Sequence, residues 1–476
     1  MNRRLKIAAA GAAAVVLAYG AASWYAGRVA QQSIEAWTLR ANEEIKANWA
    51  SDDPPPVLRV DDYRRGVFSS HVRYVFEFHD DQDAAQAVTL QDDLRHGPWP
   101  LAAVRDGFWA PLAAYSRLRP LPGGPWQPWF EAVPEGRAPW RADSRIGFDG
   151  SVASRVTLAP ARTADQRVDF SGAAVQVDYH PGNGETVVSA QAESLDLRDP
   201  DTGGRIGMRD IRYDGRTTRS GETDLQSHQQ LHLSRLTVRD PAAPEVRLDE
   251  PSAQIDMART GGLLDSRVQY DLGRLSAGSQ DLGAVQFKAS AEQVDIEALQ
   301  AFLVAVDAAQ ADDGTGAMAP DDEQRVRAAL VPLLASSPKL TLDGLSWTTP
   351  KGKTDLRAEA LFRPVAATDA PGDAGALVER GIRQVSVHAG VSKPMLLDVL
   401  RQSQADSDNP DMTVALFSML FDQYAGRLVR AGLLREQDGQ VQIDVSYADG
   451  RVTANGVEMA PDAFIHQLNA TLGLGE

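Results

Sequence analysis

Between residues 141 and 294, apolar and polar side chains alternate with a period of two, segment after segment. The pattern is clear in Ile146-Gly147-Phe148, Val152 to Leu158, Val168 to Phe170 and Val175 to Tyr179. It continues in Thr186 to Leu197, Leu231 to Val238, Val246 to Leu248 and Val268 to Leu272. Successive side chains of an extended backbone point to opposite faces, so each segment has one apolar and one polar face. Turn signals separate the segments: Asp149-Gly150, Pro181-Gly182-Asn183-Gly184, Asp201-Thr202-Gly203-Gly204 and Asp214-Gly215. The expectation is a long antiparallel sheet with one buried and one wet face. A parallel sheet covered on both sides would read as continuous apolar runs instead.

Helical spacing appears later. Ile296, Leu299, Phe302, Leu303 and Val306 share one face of a helix expected over Asp295 to Gln310. Further helices are expected over Glu323 to Leu334, Lys393 to Gln402, Asp411 to Leu434 and Pro461 to Leu468. Asp312 to Asp322 reads as an acidic loop. A hairpin joins Leu340 to Trp347 with Asp355 to Phe362, and Asp449-Gly450 and Asn455-Gly456 mark two more turns. Upstream, Val72, Tyr74, Phe76 and Phe78 form a strand pattern. Pro and Trp are dense between His96 and Trp140, which suggests a loop-rich cap with one short helix near Trp109 to Leu118. Phe68, Trp99 and Trp109 are its candidate groove or cap residues. The fold class is therefore α+β and β-rich, with helices mainly in the C-terminal half.

The N-terminus adds a membrane signal. Arg3, Arg4 and Lys6 precede 21 uncharged residues from Ile7 to Gly27, closed by Arg28. As a helix this run matches the hydrocarbon core of a bilayer, about 30 Å thick. Trp24 and Tyr25 sit at its far end, where amphipathic rings favour the headgroup level. The leading positive charge predicts a cytoplasmic N-terminus and an exported body. A cleaved signal peptide competes with this reading, because the run is rich in Ala and Gly and contains small-residue triplets. An amphipathic helix follows, with Ile34, Trp37, Ile45 and Trp49 along one stripe. Its extent, Val29 to Trp49, is about 31 Å at 1.5 Å per residue. The body, a second copy or lipid must cover the stripe. A second copy is favoured, because a helix leaving the membrane beside its twin needs no special fold of the body. Pro54-Pro55-Pro56 stops the helix. The expected divisions are 1–28 tip and anchor, 29–53 stalk, 54–294 β-rich region and 295–476 α+β region.

Composition narrows the chemistry. The chain of 476 residues has 65 acidic against 48 basic residues, a net charge of −17, which argues against nucleic acid as a partner. It has no cysteine, which excludes disulfides, thiolate catalysis and Cys-ligated metals. No G-x-S-x-G, Walker-type, H-E-x-x-H or calcium-loop motif occurs. The eight histidines are scattered. His228 and His232 lie four apart on a strand, which does not present a metal pair. Ser70 and His71 are adjacent on a strand, so they face opposite ways and do not form a nucleophile–base pair. No cofactor, metal or catalytic residue is expected.

Several strings carry a family resemblance. Arg65-Gly66-Val67-Phe68-Ser69-Ser70, His96-Gly97-Pro98-Trp99-Pro100-Leu101, Ser144-Arg145-Ile146-Gly147-Phe148 and Leu345-Ser346-Trp347 occur in that order. With the ending Tyr447-Ala448-Asp449-Gly450-Arg451-Val452-Thr453-Ala454-Asn455-Gly456, they resemble the YdgA-like family of bacterial envelope proteins. The short region after Leu472, without a Pro-rich tail, departs from it. The resemblance implies an inner-membrane protein with a retained single anchor, Ile7 to Gly27, and a large periplasmic body. It carries no catalytic residues over. The leading expectation is a non-enzymatic envelope protein that binds or guides lipid or an envelope partner along a sheet groove. The alternatives are a periplasmic hydrolase of cell-wall glycan using a carboxylate pair, and a self-associating scaffold that forms a homodimer through the stalk.

Overall fold

The computed structural model describes residues 19–472, apart from 21, 29, 33, 36–37, 44, 47–48, 50–53, 80–83, 106, 222, 311–319, 366–373, 404–408 and 438. The chain forms two compact units, divided between Arg216 and Thr217.

The first unit is an antiparallel meander. β1 (Val57–Arg65), β2 (Ser69–His79), β3 (Ala85–His96), β4 (Ala114–Pro120), β5 (Trp140–Ile146) and β6 (Val152–Leu158) each pair with the next. β7 (Ala161–Arg162), β8 (Val168–Phe170), β9 (Ala173–His180) and β10 (Glu185–Arg198) follow. β6 pairs with β9, β9 with β10, β10 with β8 and β8 with β7. The registers Arg65↔Ser70, Ser69↔Arg95, His96↔Ala114, Ala114↔Ile146 and Ile146↔Val152 gather the connections 66–68, 97–113 and 147–151 at one end of the sheet.

The described residues between 19 and 46 are helical. Leu58, Val72 and Tyr74 form a buried cluster on the leading strands, and Ile34 of this helix packs against it. Asn42 fixes the helix further along. Its side chain accepts from the Leu58 N–H at 2.8 Å and donates to the Leu58 carbonyl at 2.7 Å. That satisfies two backbone groups that β1 leaves unpaired toward the helix.

β11 (Arg205–Ser220) carries the chain into the second unit. There β12 (Asp224–His232), β13 (Arg235–Arg239), β14 (Val246–Asp249), β15 (Ser252–Thr260), β16 (Leu263–Ala277) and β17 (Gln280–Asp295) form the first half of the sheet. β18 (Lys339–Thr349), β19 (Gly352–Phe362), β20 (Ile382–Ser392), β21 (Arg435–Gln437), β22 (Gln440–Ala448), β23 (Arg451–Ala454) and β24 (Val457–Met459) complete it. The antiparallel order runs β12, β15, β16, β17, β18, β19, β20, β22, β23, β24. Helices cover Ile296–Gln310, Pro320–Ala335, Ala374–Gly381, Lys393–Ser403, Pro410–Arg430 and Pro461–Leu472. Leu330, Leu334, Val365 and Leu377 make a core among the first three, with Phe302 and Phe362 against it.

The β-rich reading with late helices is borne out. Four local expectations are not. The alternation at 146–148 stops at Ile146, with Phe148 in a turn, and Leu231 to Val238 is split between β12 and β13. Trp109 to Leu118 is not a helix: Ala114–Pro120 is β4, and a one-turn helix lies earlier at Leu101–Arg105. Tyr115, Arg117 and Arg119 alternate with Ser116 and Leu118, and two neighbouring strands accept that pattern. Asp214-Gly215 is not a turn but lies inside β11. By contrast Asn455-Gly456 and Asp449-Gly450 turn as expected, all four residues at positive φ. The acidic loop at 312–322 lies largely outside the described residues. So does most of the expected span Ile7 to Gly27, and no helix among the described residues is long and apolar enough to cross a membrane. A membrane helix is therefore not part of the described fold.

Candidate functional site

Two regions concentrate features that a plain structural role leaves over. The first is the junction between the N-terminal helix and the sheet end of the first unit. Ser70 and His96 are 0% and 1% exposed. His96 Nδ1 lies 2.8 Å from the Ser23 carbonyl, which can only accept, so this nitrogen carries the proton. Its Nε2 then accepts from the Ser70 hydroxyl at 3.1 Å, and Tyr63 donates to Ser70 Oγ at 3.2 Å. Burial holds the imidazole pKa below its ordinary value, so the ring is neutral. Gly27 and Gly97 allow the approach. A Cβ on Gly27 would sit 2.6 Å from the His96 ring, and one on Gly97 would collide with Ser23 Oγ. Gly97 also has φ +120°, a backbone that side chains avoid.

Ser70 and His96 have the bond order of a nucleophile and its base. Their complete burial leaves no room for a substrate, so the pair acts as a latch holding the helix. As the strand alternation predicts, the adjacent His71 is not the partner of Ser70. His71 points to the other side and bonds Asp93 at 2.7 Å. The true partner is 26 residues away, and only the β2–β3 register brings it close.

The candidate residues divide. Ile34 is packed in the body, Ile45 is partly buried and Trp49 is exposed; Trp37 lies outside the described residues. Phe68, Trp99 and Trp109 gather at the sheet end beside the latch, all exposed. Trp99 Nε1 donates to the Trp109 carbonyl at 3.1 Å, and Tyr19 stacks on Phe68 at 5.8 Å between ring centres.

The second region is the apolar face of the second unit. Val268, Phe287, Ala289, Leu342, Ala358 and Val385 line a groove of about 510 Å³ across β16 to β20. The registers Val268↔Ala289, Ala289↔Leu342, Leu342↔Ala358 and Ala360↔Val385 put these side chains on one face. Along the same face Tyr270, Leu340 and Leu345 are exposed, Leu340 by 46%. Tyr270 and Phe287 stack at 6.0 Å.

The polar face carries another groove, of about 480 Å³, lined by Arg357, Glu359, His388 and Asp444. His388 bonds Asp444 at 2.7 Å and its other nitrogen faces Asp355 at 3.6 Å. The bond from His388 holds the Asp444 carboxyl below its ordinary range, and Arg435 reinforces this at 2.7 Å. Such a carboxylate is no proton donor at neutral pH. The carboxyl that burial pushes up, Asp92, sits beneath the first unit's surface and accepts from Ser116 at 2.6 Å. Buried at 5% exposure, Asp92 is closed to a glycan and cannot serve as the acid of a hydrolytic carboxylate pair. His228 faces Asp256 at 2.6 Å and His232 faces Glu250 at 2.9 Å across the strands. Among the described residues no three of His, Asp and Glu group as metal ligands.

Comparison with known proteins agrees with the motif strings. The chain is 24% identical to Protein YdgA of Escherichia coli K12, over 98% of this chain and 96% of that protein. It is 20% identical to the uncharacterized protein YihF of the same organism, over 95% and 96%. No solved structure matches it. A family model described as bacterial protein of unknown function, DUF945, matches residues 1–462. The YdgA-like resemblance is thus borne out, and the chain belongs to the DUF945 family.

Proposed function

We propose that this protein is a membrane-anchored envelope protein whose second unit holds a lipid acyl chain along the apolar face of its sheet. The observation that carries the reading is the half-open groove across β16 to β20. Its size falls within the roughly 300–1,000 Å³ of small-molecule sites. Val268, Phe287, Ala289, Leu342 and Val385 make its floor, and Ser266, Ser290, Thr341 and Glu359 also contribute to its lining. Leaving such a face in water forgoes about 25 cal/mol for every Å² of apolar surface, so an apolar occupant is strongly favoured. A partner strand would add to a sheet edge through backbone bonds. An occupant of the face needs only apolar length, which an acyl chain supplies.

The uncharged run Ile7 to Gly27 behind Arg3, Arg4 and Lys6 supports an inner-membrane anchor with a cytoplasmic N-terminus and a periplasmic body. A body tethered to the inner membrane has lipid available as an occupant. The role is binding or guiding rather than catalysis, because the groove presents no convergent acid and base.

Native mass spectrometry of the full-length protein extracted from its own membranes tests the reading. Lipid-sized adducts are expected on the wild type and their loss is expected in Leu342→Glu, with circular dichroism unchanged. Adduct-free wild type, or adducts that survive Leu342→Glu, would count against the groove.

A further inference from the structure

The exposed aromatic residues of the first unit are not scattered. Trp99, Trp109 and Phe148 are 48%, 74% and 64% exposed, and Val67, Phe68 and Phe108 are exposed with them. They lie in the connections 66–68, 97–113 and 147–151, which the strand registers bring to one end of the sheet. The opposite end exposes Val57 and Trp129, and the helix end beside it Leu39 and Trp49, but among the described residues no comparable set of connections bearing exposed aromatics gathers there. A cluster of this size has a partner in the working state.

The N-terminal helix shows what that partner is. Tyr19, Ser23 and Gly27 lie among these same connections: Tyr19 donates to the Trp99 carbonyl at 2.7 Å, Ser23 accepts from His96, and Gly27 abuts the His96 ring. Further along, Ile34 packs against the Leu58, Val72 and Tyr74 cluster and Asn42 bonds Leu58, toward the far end of β1. The helix therefore runs along the sheet, with Tyr19 at the aromatic end. Only 12 residues of the uncharged run, Ile7 to Ala18, precede Tyr19, and 12 residues as a helix would extend about 18 Å, well short of a bilayer core of about 30 Å. If Ile7 to Gly27 spans the membrane, the loops around its last turns must enter the bilayer with it.

We propose that this sheet end is a membrane-immersed collar, with Phe68, Trp99, Phe108, Trp109 and Phe148 at headgroup depth around the emerging helix. The inference rests on the anchor reading above and is independent of the acyl groove. The collar has the chemistry of an interface. Its rings are flanked by cations: Arg65 lies 5.4 Å from the Trp24 ring centre and Arg145 lies 3.8 Å from that of Phe108. Guanidinium groups at this level meet lipid phosphates while the rings reach inward. Asp149, the acidic residue of the 147–151 turn, is turned onto the Ser151 hydroxyl and N–H at 2.6 and 3.0 Å.

The absence of cysteine makes the test clean. Full-length Trp109→Cys, Phe148→Cys and, at the opposite end, Glu135→Cys are each nitroxide-labelled and reconstituted into phosphatidylethanolamine–phosphatidylglycerol vesicles. Accessibility is read by paramagnetic resonance against oxygen, which partitions into lipid, and a water-soluble nickel complex. The labels at 109 and 148 should favour oxygen and the label at 135 should favour nickel. Labels at 109 and 148 that favour nickel as strongly as 135 overturn the collar. Carbonate washing of the same vesicles reads the anchor separately. Protein that stays in the bilayer with water-exposed labels refutes the collar alone. Protein that washes off after showing lipid-exposed labels refutes the anchor alone.

Discussion

The first unit closes the apolar face of its leading strands with a helix, whereas the second leaves the middle of its sheet's apolar face half open. Both sheets are built from the same alternation. Val72 and Tyr74 of β2 are buried because Ile34 covers them and Asn42 and the His96 latch hold that cover in place. Val268 and Leu342 have equivalent patterns but remain partly exposed, and Leu340 is exposed outright. The helices of the second unit make their core largely with each other, at Leu330, Leu334 and Leu377. Alternation thus sets which face is apolar, and a neighbouring element decides whether that face is core or binding surface.

The largest expected difference comes from placing the same charge on each face. Val72→Asp buries a carboxylate without a partner and should cost on the order of 4 kcal/mol. Val268→Asp leaves its charge near water and should cost about 1 kcal/mol or less. Hydrogen exchange resolved by peptide measures each unit separately. Equal losses of protection would erase the distinction between the two faces.

The latch comes next. His96→Ala opens a cavity and leaves Ser70 and the Ser23 carbonyl with one partner fewer, for about 2–4 kcal/mol. Its pH signature is specific. The folded pKa of His96 is depressed by burial, so the unfolded chain binds the proton more readily. Stability is full above the unfolded value, about 6.5, and is lost as pH falls toward the folded one. The first unit should therefore weaken between pH 7 and pH 5, and His96→Gln should flatten that slope. In the second unit the bond from His228 lowers the Asp256 carboxyl, as His388 does for Asp444. Stability from those two carboxylates is lost only as pH falls below the ordinary aspartate value, about 3.9.

The smallest effect should be at the cross-strand pairs. His228→Gln removes a half-exposed partner of Asp256 and should change stability by no more than about 0.5 kcal/mol.

Much of this architecture is legible in the chain. Period-two segments and Asn-Gly or Asp-Gly turns are local signals, and most of them hold. They fail where a neighbour decides. Asp214-Gly215 stays extended inside β11, and Ala114–Pro120 becomes a strand between β3 and β5 despite the proline-rich approach. The short helix Ala374–Gly381 escaped notice because eight residues hold too little periodicity to stand out. The aromatic residues Phe68, Trp99 and Trp109 were visible as candidates, yet their meeting depends on registers that no local pattern encodes. Nor was the cover over Ile34 legible. An amphipathic stripe states that something must bury it; the expectation favoured a second copy, whereas Ile34 packs against the body's own Leu58, Val72 and Tyr74.

The most direct test of the comparison is photo-crosslinking with a phospholipid that carries a diazirine in its acyl chain, followed by peptide mapping of the full-length protein. Labelled peptides should come from β16 to β20, within 263–295 and 339–392, and labelling of the covered strands β1 to β3 should be absent away from their membrane end. Crosslinks spread evenly over both units, or none within β16 to β20, would contradict an acyl chain lying in the half-open groove.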